Sequence, residues 1–209
     1  MSNISTIFID IGGVLLSDGW DRLSRRKAVE KFGLNLDEFE AKHAPLADVL
    51  DMGQISVSEY LDRLLFYKKQ PFSKNEFWEF MKGESSANPD SLALVTNLAR
   101  QGKYFLATIN NESFDLNLYR IEKFKLGSFF SVFLSSCFLG LKKPDSAIFE
   151  RALQITDKQP KETIFIDDRE INLVAPRKLG MNTIHFENAQ QLANDLQTYG
   201  IALVDIQQA

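Results

Sequence analysis

The sequence predicts an α/β protein: a doubly wound parallel sheet whose first strand is separated from the rest by an all-helical insertion. Three observations carry that reading. Ser5 to Ile9 is an unbroken β-branched and aromatic run that ends in Asp10 and the glycines Gly12 and Gly13, the pattern of a strand buried on both faces. Residues Asp18 to Ser86 show only helical periodicity. From Pro89 onward, helical stretches alternate with short apolar strands, which right-handed crossovers assemble into a parallel sheet.

Within the helical block, Arg22–Phe32, Asp37–Leu50, Val57–Tyr67 and Lys74–Met81 read as amphipathic helices. Asn35, Ser56 and Ser73 stand in the breaks as N-cap residues. Ser85-Ser86-Ala87-Asn88-Pro89 then interrupts the pattern as a linker. The alternating part gives a helix over Pro89–Arg100, a strand over Tyr104–Thr108, a helix over Phe114–Phe124 and a strand over Phe129–Ser135. A helix over Ser146–Gln154, a strand over Thr163–Asp167 and a helix over Glu170–Leu179 follow. Thr183–Phe186 is the fifth strand, and Gln190–Thr198 is the last helix. Pro176 would kink the penultimate helix and Gly180 closes it. The domains are therefore a Rossmann-like core, residues 1–16 and 90–209, and a helical cap, residues 17–89, placed to act as a lid over the carboxyl edge of the sheet.

Composition excludes several function classes. The chain has 209 residues and a net charge of −4, with no basic surplus for nucleic acid or membrane surfaces. Its phenylalanines are spread at core spacing, without a stacking platform for bases. No apolar run has the length of a membrane span. Cys137 is the single cysteine, so no internal disulfide forms and a reducing compartment is expected. With no basic region ahead of an apolar stretch at the N-terminus, a cytoplasmic monomer or weak dimer is the expectation.

Open α/β sheets bind ligands beyond the carboxyl ends of their strands. Those ends carry Asp10, then Thr108 with Asn110 and Asn111, then Lys142-Lys143-Pro144, then Asp167-Asp168 with Asn172 one turn on. Taken alone, Asp10 reads as a turn or cap residue; the other three segments turn the reading toward chemistry. A carboxylate can accept a phosphoryl group covalently. Mg²⁺ takes oxygen ligands from few carboxylates and completes its shell with water and phosphate. A hydroxyl and an ammonium orient and neutralise the remaining phosphoryl oxygens. The set fits phosphoryl transfer from a small phosphorylated substrate.

These four segments resemble, in order, the four motifs of the haloacid dehalogenase-like superfamily, and Gly53-Gln54-Ile55-Ser56 resembles a turn of its helical caps. The resemblance implies Asp10 as nucleophile, Lys143 as the third-motif lysine, and Thr108, Asn110 and Lys143 around the phosphate. It implies a Mg²⁺ site from Asp10, the Gly12 carbonyl, Asp168, Asp167 and Asn172. Asp168 is read as the direct ligand, and Asp167 as a second ligand or as the group that orients Lys143.

Two departures stand out. Gly12 replaces the second aspartate, which in the family serves as general acid and base. Ile109 precedes Asn110, so a register set by that asparagine would put Ile109 where the hydroxyl belongs. Three readings therefore stay open: a Mg²⁺-dependent phosphatase, a metal-independent dehalogenase, and an impaired member that binds without turnover. Asp18, Trp20 and Arg22, where the chain enters the lid, read either as substrate contacts or as hinge or core residues. His43 and His185, lacking partners at metal-ligand spacing, are read as structural, and Cys137 as core.

Overall fold

The computed structural model describes residues 4–203. Five strands, β1 (Thr6–Ile9), β2 (Phe105–Asn110), β3 (Val132–Ser135), β4 (Thr163–Asp167) and β5 (Asn182–His185), form one parallel sheet in the order β3-β2-β1-β4-β5. β1 is central and buried throughout, which explains its lack of polar alternation. The chain first winds outward through β2 and β3, then returns to β1's other side for β4 and β5. The switch point lies at the carboxyl ends of β1 and β4, where such sheets open a crevice.

Alternate residues feed the two faces of the sheet. Ile7, Ile9, Leu106, Ile164 and Ile166 pack on α5 (Pro89–Gln101) and α10 (Ala189–Thr198). Phe8, Ala107, Ile109 and Phe165 pack on α8 (Ser146–Thr156) and α9 (Glu170–Lys178). Several elements depart from the sequence expectation. β3 begins three residues late, after a 3₁₀ turn at Leu126–Ser128, and Ser136–Leu139 forms a short helix, α7, where a loop was expected. β2 continues to Asn110 because Asn110 still pairs with Ser135 on β3. α6 (Phe114–Lys123) follows it.

Between β1 and α5 the chain forms α1 (Arg22–Phe32), α2 (Leu36–Asp51), α3 (Val57–Leu64) and α4 (Lys74–Gly83). Asn35 caps α2 through its side chain, and Ser56–Glu59 and Ser73–Glu76 are full capping boxes on α3 and α4. Their apolar faces meet in a cluster of their own, centred on Phe39, Tyr60, Leu61, Phe77 and Met81. The chain leaves and rejoins the core side by side. Leu16 bridges Ala87, Ser17 N–H donates to Ser86 O at 2.9 Å, and Asn88 N–H donates to Leu15 O at 2.9 Å. The Ser17 hydroxyl adds a bond to Glu84 O at 2.8 Å and accepts from Ser86 N–H at 3.0 Å. A third contact joins Gly53, in the turn after α2, to α7. With φ of 68°, a Cβ on Gly53 would stand 2.4 Å from the Cys137 carbonyl oxygen, so only glycine fits. Among the described residues no helix is long and apolar enough to cross a membrane.

Candidate active site

The switch point brings Asp10, Lys143, Asp167 and Asp168 together. Asp10 follows β1 directly and its N–H donates to Ile166 O on β4 at 2.9 Å, which sets it beside Asp167. Its Oδ1 accepts from Ile11 N–H at 2.7 Å. Its Oδ2 lies 2.8 Å from Lys143 Nζ, which also reaches Asp167 Oδ2 at 2.6 Å. Asp167 is completely buried and its Oδ1 is taken by Asn172 Nδ2 and Arg169 N–H, each at 2.9 Å. Asn172 therefore orients Asp167, and Asp167 orients Lys143.

The electrostatics leave a gap in this cluster. Burial drives the Asp10 carboxyl well above the usual carboxylate range, against the pull of Lys143 and helped by Asp167. Burial would likewise lower Lys143, but Asp10 and Asp167 outweigh it and hold the ammonium above its ordinary value. Burial, then Asp167 and Asp18, raise Asp168. Three carboxylates thus share one ammonium. One ligand oxygen from each of Asp10, Asp167 and Asp168 lies within 4.8 Å of the others, and the buried Asp168 Oδ1 has no hydrogen-bond partner. An all-oxygen set with surplus negative charge and an orphaned acceptor fits a hard divalent cation. Gly13 makes room for it: at φ of 70°, a Cβ there would fall 2.4 Å from Asp168 Oδ2.

The second-motif residues lie differently. Thr108 pairs with Ile9, one position short of Asp10, on the face shared with Leu106, and its buried hydroxyl has no hydrogen-bond partner. Asn110 is closed into a ring: it donates to Asn117 Oδ1 at 3.0 Å and accepts from Ser135 Oγ at 2.8 Å, while Asn117 donates to that same hydroxyl. Strand alternation turns both away, and Ile109, the residue level with Asp10, is core. Among the described residues neither Thr108 nor Asn110 is hydrogen-bonded to Asp10 or Lys143. Gly12, by contrast, adjoins the site, and a Cβ on it would meet Asp18 Cα at an ordinary 3.5 Å.

Two features were not read from the sequence. Asn111 exchanges two bonds with the backbone of Lys143, each at 2.9 Å, and so pins the lysine's loop to the end of β2; its place beside Asn110 was the available signal. A cleft of about 500 Å³ runs between the helical insertion and the sheet edge, lined by Trp20, His43, Leu50, Asp51, Asn111 and Asp168 among others. Asp51 is held up to about 7 by burial and by Glu112. Cys137 is buried, and burial with Glu112 pushes its thiol up to about 12, which leaves it inert.

Residues 4–180 match the haloacid dehalogenase-like hydrolase family. The chain belongs to that family. Among its relatives is flavin mononucleotide hydrolase 1 of Arabidopsis thaliana, 28% identical over 90% of this chain and 78% of that protein. A glyceraldehyde 3-phosphate phosphatase of Pyrococcus furiosus is 23% identical over 94% and 86%. A family enzyme from Bacteroides thetaiotaomicron superposes with a TM-score of 0.81 at 23% identity, covering 93% of this chain and 99% of that one. The same enzyme, solved with magnesium and inorganic phosphate, gives 0.76 at 24% identity over 89% and 96%. The architecture is that of the family, and the three-carboxylate cluster is one that can hold a metal ion.

Proposed function

We propose that this hydrolase is a Mg²⁺-dependent phosphatase of small phosphate monoesters that works through an aspartyl-phosphate on Asp10. The observation that carries the reading is the orphaned Asp168 Oδ1 facing Asp10 and Asp167 across a single ammonium. A metal-independent dehalogenase would have no use for that surplus of buried carboxylates. Asp10, Asp168 and the Gly12 carbonyl would hold the ion, with Asp167 and Asn172 behind them. Bound there, it would neutralise phosphoryl oxygens and orient them for in-line attack.

The remaining steps belong to the chain. A carboxylate oxygen of Asp10 attacks phosphorus, and the bond to the leaving oxygen breaks with its electron pair. Ile11 N–H, on Oδ1, keeps the carboxylate oriented, and Lys143 draws charge from the phosphoryl oxygens. With glycine at position 12, the leaving oxygen takes its proton from water or from the substrate. Water then attacks the acyl phosphate, releasing phosphate and restoring Asp10. The helical insertion would cover the site and choose the leaving group.

The test is hydrolysis of phenyl phosphate with and without Mg²⁺, in wild type and Asp10→Asn. Activity should vanish on chelation and return with Mg²⁺, and the variant should lose several decades of kcat, because an amide cannot form the acyl phosphate. Activity indifferent to chelation, with halide release from a 2-haloacid, would overturn the reading.

A further inference from the structure

We propose that His43 is a specificity-determining residue that presents a fixed, uncharged Nε2–H donor to an oxygen of the leaving group, selecting a neutral hydroxylated group such as that of a sugar or polyol monophosphate. The inference rests on the phosphatase reading and names the substrate class of that site.

Three hydrogen bonds fix the proton. Trp20 Nε1–H can only donate, and it donates to Tyr60 Oη at 2.9 Å. Tyr60 Oη lies 2.9 Å from His43 Nδ1, and Tyr60 is completely buried. A proton on Nδ1 would leave the Tyr60 hydroxyl hydrogen with no acceptor among the described residues, a penalty buried groups avoid. Tyr60 therefore donates, Nδ1 accepts, and the imidazole proton sits on Nε2. Nε2 has no partner among the described residues, and His43 lines the cleft it shares with Asp168.

The charge of the wall sets the chemistry of what it takes. Burial, then Arg25, pushes His43 down to about 4, with Glu40 pulling weakly the other way, so the donor stays neutral. Arg25 is committed: its Nε and Nη2 hold the Glu40 carboxylate at 2.8 and 3.0 Å, and Nη1 holds the Trp20 carbonyl at 3.0 Å. His43, Ala47 and Leu50 form one stripe of α2 facing the cleft, and Asp51 follows. This wall offers a hydrogen bond and apolar surface but no uncommitted cation. A second anionic group would find no countercharge there. Arg22 and Arg169, exposed elsewhere along the cleft, are the cations such a group would need.

The experiment compares glucose 6-phosphate, glycerol 1-phosphate, fructose 1,6-bisphosphate and phenyl phosphate in wild type, His43→Phe, His43→Gln and Tyr60→Phe. In His43→Phe, kcat/KM for the two hydroxylated monophosphates should fall roughly tenfold, the worth of one neutral hydrogen bond, chiefly through KM. Phenyl phosphate, which has no acceptor to offer, should be unchanged. His43→Gln, which keeps an N–H donor, should restore most of the loss, and Tyr60→Phe should fall between them. Equal losses on every substrate, or a preference for the bisphosphate, would overturn the proposal. If wild type hydrolyses none of the esters, the phosphatase reading fails instead. The fixed donor is then judged by long-range ¹H–¹⁵N spectra, with His43 assigned by its variant. They should show an Nε2–H ring that does not titrate between about pH 5 and 8; an Nδ1–H ring, or a titration in that range, refutes it.

Discussion

Replacing Asp51 by asparagine should stabilise the protein at neutral pH and flatten its pH dependence. Asp51 ends α2, and its backbone carbonyl accepts from the Ser136 hydroxyl, at the start of the short helix that follows β3, at 2.6 Å. Burial raises the Asp51 carboxyl from the ordinary 3.8 to about 7, Glu112 and Asp48 add to the rise, and Lys142 and Arg25 oppose it. A group that binds its proton more tightly when folded makes the folded state lose stability as pH rises from 3.8 to about 7. At about 1.36 kcal/mol per pH unit, the loss comes to about 4 kcal/mol. Asparagine has nearly the same shape and no charge to bury, so it escapes that loss. Urea unfolding between about pH 4 and 8 measures it. The wild-type midpoint should decline over that window, and the variant should gain on it by up to about 4 kcal/mol above pH 7. Parallel curves for the two proteins, or a variant less stable at neutral pH, would refute the argument that Asp51 is stored as an acid.

Gly13→Ala should impair the metal site selectively, since its Cβ would collide with Asp168. Calorimetric titration with Mg²⁺ should show affinity falling by 10-fold or more, about 1.4 kcal/mol. Lys143→Met leaves Asp10 and Asp167 buried without their shared cation, and should lower stability by about 3–5 kcal/mol at neutral pH. The deficit should shrink in acid, where the raised Asp10 carboxyl protonates, and urea melts at the two pH values check it. Wild type should favour leaving groups of low pKa, because no acid stands at position 12. Gly12→Asp has room for its Cβ, and should speed alkyl phosphate turnover by part of the roughly 10²–10⁴ that general acid catalysis supplies. A single-turnover rate that ignores leaving-group pKa in wild type would show that another group already donates the proton.

The sheet and the helices between β1 and α5 were legible because their patterns are local: Ile7 to Ile9 and Ile164 to Ile166 read as buried strands, and Ser56 and Ser73 as caps. The carboxylate ends of β1 and β4 were legible for the same reason. The surroundings of Thr108 and Asn110 were not. Whether Thr108 stands level with Asp10 depends on inter-strand register, and Asn110 is claimed by Ser135 and Asn117, partners on other elements. His43 and Asp51 lay hidden for a related reason. Their positions on α2 say nothing about which surface α2 will face, and a buried Tyr60 seventeen residues on fixes the ring.

The paired strands of chain at 14–17 and 86–88 bear on how the sheet is assembled. β1 and β2 are neighbours in space but are separated in sequence by the whole helical insertion, and bringing distant segments together delays folding. Once Ser17 has met Ser86, only residues 9–17 and 86–108 remain to be closed before Ile9 can reach Thr108. That shortens the loop by almost two doublings, each worth about 0.6 kcal/mol of chain entropy. The insertion, with its own apolar centre, thereby turns a long-range strand pairing into a nearly local one. A chain in which those junction bonds are cut should form its central sheet more slowly while its helices form at the same rate.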